Sequence, residues 1–185
     1  MNITGIILTG GKSSRMGSDK ALLEFEGKTL LKRAVDLCSS FCEEVLISSN
    51  YPEHQVEDFR RIDDEDADCG PIGGIYSCLK QSSHDWNLVL SVDAPFVQQD
   101  FIRFLKDGTP NFEAVVPIHA GKKEPLIAFY HKKALPQIEA RIKAENYKLH
   151  FLLEKLNTNF MDAGEWLKKY PDLFRNLNNP EDLFF

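Results

Sequence analysis

The residues best suited to chemistry crowd into a few short stretches. The first is LTGGKSSRMGSDK, residues 8–20, in which Gly10 and Gly11 are followed by Lys12, Arg15 and Lys20. Paired glycines let a backbone turn tightly and bring amide donors close to a ligand. Arginine grips phosphate with two parallel donors, and lysine acts as a mobile point charge. A polyphosphate suits such a loop. The spacing is neither GxxxxGK[ST] nor GxGxxG, so an ATPase or GTPase P-loop and a dinucleotide fingerprint are not indicated. The second stretch ends in Asp93, directly after the apolar run Leu88–Val92. Its carboxylate is a hard ligand suited to Mg2+, or else a cap for the next helix. Pro95 stiffens that turn. The third is the acidic run Asp63, Asp64, Glu65, Asp66 and Asp68, which reads mostly as a solvated loop. The fourth is Asn176 and Asn178, which share one side of an extended segment or form an Asx turn before Pro180.

These stretches need a scaffold. Ile3–Thr9, Val45–Ser48, Phe59–Ile62, Leu88–Val92, Ala114–Pro117 and Leu126–Tyr130 read as strands, with His119–Glu124 as a turn. Helical periods run over Leu30–Phe41, Gln98–Lys106, Lys132–Ala144, Leu149–Leu156 and Ala163–Tyr170. Asp63–Gly74 reads as a polar, glycine-rich loop leading into a helix from Ile75. Alternating strands and helices predict an α/β fold: a three-layer α/β/α sandwich on a mostly parallel central sheet. Right-handed crossovers would bring loops 10–20, 63–74 and 93–97 to one edge, where open α/β sheets bind ligands. No linker or repeat interrupts residues 1–185, so one domain is expected.

Composition narrows the class. The 185 residues are 43% hydrophobic and 27% charged, with 22 Lys and Arg against 28 Asp and Glu, a net charge of −6. That balance speaks against a nucleic-acid scaffold. Residues 1–35 hold six cations against three acids, and residues 51–70 hold eight acids against two arginines. A basic loop facing an acidic one suits a polyphosphate with a divalent cation. No apolar run is long enough to span a membrane, and no signal peptide is evident, so a cytoplasmic location is expected. Cys38, Cys42, Cys69 and Cys78 form no CxxC pair and read as free thiols. The five histidines show no ligand spacing. His119 with Lys122 and Lys123 either reaches a phosphate or forms a solvated turn. No Ser/His/Asp or Cys/His nucleophile is demanded.

GG-x(3)-RMG-x-DK after an apolar strand closely resembles the signature of the molybdenum cofactor guanylyltransferases, members of the Rossmann-like nucleotidyltransferase superfamily. In chain order, GPIGG (70–74), SVDAP (91–95), EPLIAFY (124–130) and FRNLNNPEDL (174–183) are similar to further motifs of that family. The resemblance implies transfer of GMP from GTP to a molybdopterin phosphate, with Mg2+ as cofactor and pyrophosphate released. It implies nucleotide contacts at Leu8, Thr9, Gly10, Gly11, Lys20, Asn50, Gly70 and Asp93, and phosphate contacts at Arg15 and Lys20. Lys20, Arg15 and Asp93 would be the catalytic set, with Asp93 holding the metal and Asn176 and Asn178 on the pterin or phosphate side. A base-reading aspartate falls at Asp63 or Asp64. Carboxylate oxygens there would accept from guanine N1–H and its exocyclic amine. The family's chemistry also points to cofactor-insertion proteins and molybdoenzymes as partners. Thr9, Ser91, Asn179 and the Gly73–Gly74 pair depart from the usual residues without removing a group the chemistry needs. The alternatives are a cytidylyltransferase for the same pterin, disfavoured by the T-G-G start of the loop, and a non-catalytic nucleotide- or cofactor-binding protein, disfavoured by intact Lys20 and Asp93.

Overall fold

A computed structural model describes residues 1–10, 19–65, 68–177 and 182. Its main sheet contains β1 (Ile3–Leu8), β4 (Glu44–Ser48), β5 (Arg60–Ile62), β6 (Trp86–Ser91), β7 (Ala114–His119), β9 (Ile127–His131) and β10 (Thr158–Asp162) in the order β10-β7-β9-β6-β1-β4-β5. A two-residue β8 (Lys122–Lys123) pairs with β7. A small hairpin of β2 (Glu24–Phe25) and β3 (Lys28–Thr29) stands apart. β1 pairs in parallel with β4 and β6, β4 with β5, and β7 with β10. Only β9 and β8 run against the rest.

The central strands are buried on both faces, so their sequences are nearly continuous apolar runs. Ile3, Ile7, Leu88, Leu90 and Phe129 face one core with α1 (Leu30–Ser39), α3 (Gln99–Asp107) and Trp166 of α6 (Gly164–Lys169). Ile6, Leu8, Val89, Ala128 and Tyr130 face the other, with α2 (Pro71–Gln81), α4 (Leu135–Lys143) and α5 (Leu149–Leu153). This is the three-layer sandwich expected.

One expectation fails. β4 and β7 lie on opposite sides of the β6–β1 pair, yet α1 and α3 cover the same face. The β1–α1–β4 and β6–α3–β7 crossovers therefore have opposite hands. β1–α1–β4 and β5–α2–β6 share one hand and β6–α3–β7 has the other, so the crossovers do not all follow a single hand. Antiparallel β9 fills the gap between β6 and β7, so α3 spans two sheet positions rather than packing back onto an immediate neighbour.

Helix α2 also starts earlier than the sequence suggests. Gly70 (φ 64°, ψ −155°) adopts a conformation open to glycine, and Pro71 takes the first helical position, where its missing N–H costs nothing. The segment 71–74 is thus the first turn of α2, not loop. A Cβ at Gly74 would stand 2.2 Å from Ser48 Oγ, so glycine lets this helix press against the end of β4.

Candidate active site

In a parallel sheet the strand C-termini share an edge. Gly10, Asn50, Asp64, Asp93 and His119 all follow or end such strands, and antiparallel β9 contributes its leading residues Glu124–Leu126 to the same edge.

On the left of this edge, Thr9 Oγ1 donates to Ser48 O at 2.9 Å, so the residue fastens β1 to β4 with its hydroxyl. Leu8 is buried, and Gly10 is exposed with φ 90°. Asn50 Oδ1 accepts from Asp64 N at 2.7 Å. Ser48 Oγ donates to Asp64 Oδ1 at 3.3 Å. The two candidate acids are treated differently. Asp63 is exposed and paired with Arg61, whose guanidinium also donates to Ser49 O at 2.5 Å. Asp64 turns inward against the α2 glycine. Burial pushes its pKa above the ordinary carboxylate value, the Ser48 hydroxyl opposes this, and the Asp63 charge adds to it. Of the two, Asp64 is the one with inward geometry.

In the middle, Lys20 opens a single 3-10 turn, Lys20–Leu22, capped by Asp19. Val92 N donates to Leu8 O, bringing the β6 exit beside β1. Asp93 O accepts from Leu177 N at 2.9 Å. That bond brings Asn176, which is exposed, to the Asp93 turn. Gly11, Lys12, Arg15 and Asn178 lie outside the described residues.

On the right, His119 stacks on Phe174 with ring centroids 4.8 Å apart, and its Nε2 lies 3.0 Å from Glu124. Lys122 pairs with the same carboxylate, and Lys123 lies over the Phe160 ring. The predicted His119–Lys122–Lys123 turn is thus tied down by Glu124 and Phe160. A cleft of about 380 Å3 under the edge, between α1 and residues 90–98, is lined by none of the candidate residues. Its mouth charges neutralise one another as Arg33–Glu26 and Lys28–Asp36.

The sequence does not announce His54. His54 is 1% exposed and sits between Ser49 Oγ (2.6 Å from Nδ1) and Asp19 Oδ2 (2.7 Å from Nε2). Its partners lie five and thirty-five residues away, and no local pattern announces them. Ser48 and Gly74 were missed for the same reason: each matters only through a neighbour in space.

This edge, with a glycine turn and lysine on one strand and carboxylates on two others, is that of an α/β protein of nucleotidyltransferase type. A family profile described as the MobA-like NTP transferase domain matches residues 5–159, and the chain belongs to that family. It is 32% identical to the probable molybdenum cofactor guanylyltransferase of Halalkalibacterium halodurans, over 97% of this chain and 94% of that protein. Identity to the protein of the same name from Bacillus cereus strain Q1 is 35%, over 96% and 92%. Among solved structures, molybdopterin-guanine dinucleotide biosynthesis protein A of Archaeoglobus fulgidus superposes with a TM-score of 0.82 at 27% identity, covering 97% of this chain and 94% of that one.

Proposed function

We propose that the protein transfers GMP from GTP to the phosphate of molybdopterin or its molybdenum-bearing form, releasing pyrophosphate. A phosphate oxygen of the acceptor forms the new bond to the α-phosphorus as the bond to the bridging oxygen of pyrophosphate breaks. No protein nucleophile is needed. The observation that carries the base choice is Asp64, an inward carboxylate with one weak side-chain donor, at the strand end where a purine edge would present two. Gly10 and Gly11 would offer close backbone approach to the nucleotide, with Leu8, Thr9, Asn50 and Gly70 shaping the pocket. Lys20 and Arg15 would offset charge on the leaving pyrophosphate. Asn176 and Asn178 would orient the acceptor.

The donor set fits Mg2+. Among the described residues no ion pair or hydrogen bond occupies the Asp93 carboxylate, and no group of three His, Cys, Asp or Glu side chains could hold a metal alone. One carboxylate plus substrate phosphates is the set Mg2+ commonly accepts. Held by Asp93, the ion would supply neutralisation of the triphosphate charge. Its partners would be GTP, the pterin cofactor and the proteins that receive the product. The test is pyrophosphate release with molybdopterin and each of four nucleoside triphosphates, with and without Mg2+. GTP alone should support turnover; equal use of CTP refutes the base assignment.

A further inference from the structure

We propose that His54 is a positioning residue that holds the Lys20 turn in register with the Asp64 end of the site. This rests on the function proposed above and adds a residue to it.

Both ring nitrogens of His54 are engaged in a nearly solvent-free position. Ser49 Oγ accepts from Tyr51 N at 3.0 Å, which leaves its proton for His54 Nδ1. Nε2 then carries the ring proton that is donated to Asp19. This tautomer follows from the network: every donor in the chain meets an acceptor. A buried imidazole would be costly with either nitrogen unpaired.

The chain ends beside the site at both extremes. Asp19 divides its oxygens: Oδ2 takes the His54 proton, and Oδ1 accepts from Ala21 N at 3.0 Å, capping the turn that begins with Lys20. At the other end Ser49 is fixed to β5 through Ser49 N to Ile62 O at 3.0 Å, and the next residue, Asn50, holds Asp64 N. A phosphate-side cation and a base-side carboxylate, on different strands, are thereby joined through one ring. A ligand that must touch both is sensitive to their spacing, because a displacement of about 1 Å can cost on the order of 10²-fold in rate.

Serine, histidine and aspartate in a line resemble a hydrolase triad, but the geometry assigns another job. Ser49 is buried, its oxygen is occupied by Tyr51 N, and Nδ1 rather than Nε2 faces the hydroxyl.

The test compares His54→Leu, which removes both links, His54→Asn, whose short amide reaches only toward Ser49, and His54→Gln, whose amide nitrogen reaches Asp19. Turnover with GTP and with CTP is measured for each, alongside amide hydrogen exchange of Ala21 and Leu23. The Leu and Asn variants should lower kcat with GTP about 10- to 100-fold with GTP KM within about threefold. They should also shrink the GTP-to-CTP ratio about tenfold and speed exchange in the turn. The Gln variant should recover most of each. A loss of folded protein lowers both nucleotides equally and leaves the ratio alone. An unchanged ratio with unchanged turn exchange, or a Gln variant no better than Asn, overturns the proposal. If the wild-type protein prefers no nucleotide, the functional reading fails instead, and the exchange data alone decide whether His54 holds the turn.

Discussion

Neighbouring strands β4 and β5 have a carboxylate at each end, and the two ends are built in opposite ways. At the start of β4, Glu44 is 16% exposed and accepts from Thr4 Oγ1 and Ser83 N at 2.7 Å, from Ser83 Oγ at 3.0 Å and from Arg60 at 3.2 Å. Burial alone would raise its pKa, but the Ser83 amide, the Thr4 and Ser83 hydroxyls and the Arg60 charge hold it below the usual value. Asp64, past the end of β5, has one long hydroxyl bond to its side chain and a raised pKa. The signs differ under linkage. Glu44 contributes stability above its unfolded pKa and loses it as pH falls through its depressed folded value. Ionising Asp64 costs stability, and the cost appears as pH rises from its unfolded value through its raised folded value. A carboxylate with a full set of donors belongs to the fold. One left short is poised for donors that a ligand brings.

The largest expected effect is at the ligand edge. Asp93→Asn keeps size and a carbonyl oxygen but loses the charge, and single-turnover nucleotide transfer should fall on the order of 10²-fold or more with melting unchanged. Normal transfer by the folded variant would remove Asp93 from the metal role and make this edge no more functional than the Glu44 end.

Next comes Asp64→Asn. It should reduce kcat/KM for GTP by about 1–3 kcal/mol, the worth of a hydrogen bond to a charged group, with CTP unaffected. Melting at neutral pH should not drop, since an unfavourable charge is gone. If Asp64 reads the base as proposed, Mg·GTP affinity of the wild type should weaken as pH falls through the raised Asp64 pKa, because only the ionised group would accept both guanine donors. Isothermal titration across the acid range measures this; a flat profile contradicts it.

Glu44→Ala should do the reverse: about 2 kcal/mol of stability lost, roughly 4–8 °C in melting temperature, with GTP-to-CTP preference intact. The smallest effect is at Asp63. Exposed and paired with Arg61, it should tolerate alanine with neither melting nor base preference altered. A shift of preference at 63 but not 64 would reverse the assignment of the two acids.

Much of this was legible in the sequence where local and tertiary signals agree. β1 and β6 are apolar runs because both faces are covered, and Asp93 stands out because such a run ends on it. The failures came where a neighbour in space overrides local preference. Gly73 and Gly74 read as loop, yet they lie in α2, where Ser48 leaves no room for a side chain at 74. β10 shows no apolar run: it is an edge strand that pairs only with β7, with Phe160 and Asp162 exposed. The β2–β3 hairpin is two residues per strand, closed by Glu26 and Gly27 with φ of 49° and 78°, a primed turn unusual for glutamate. His54 carries no periodicity and no motif, and its meaning lies in chain segments that only folding brings near.

The strand order also bears on how the chain acquires this shape during synthesis. β1 sits in the interior of the sheet, but one of its two neighbours, β6, pairs Trp86 with Ile3. Without β6, the β1–β4–β5 ladder and α2 leave one flank of β1 open. An open apolar strand flank is a template for pairing with another chain. The emergence of Trp86–Ser91 closes that flank and delivers Asp93 in the same event. Covering the second flank of β1 and placing Asp93 at the ligand edge therefore depend on one and the same strand.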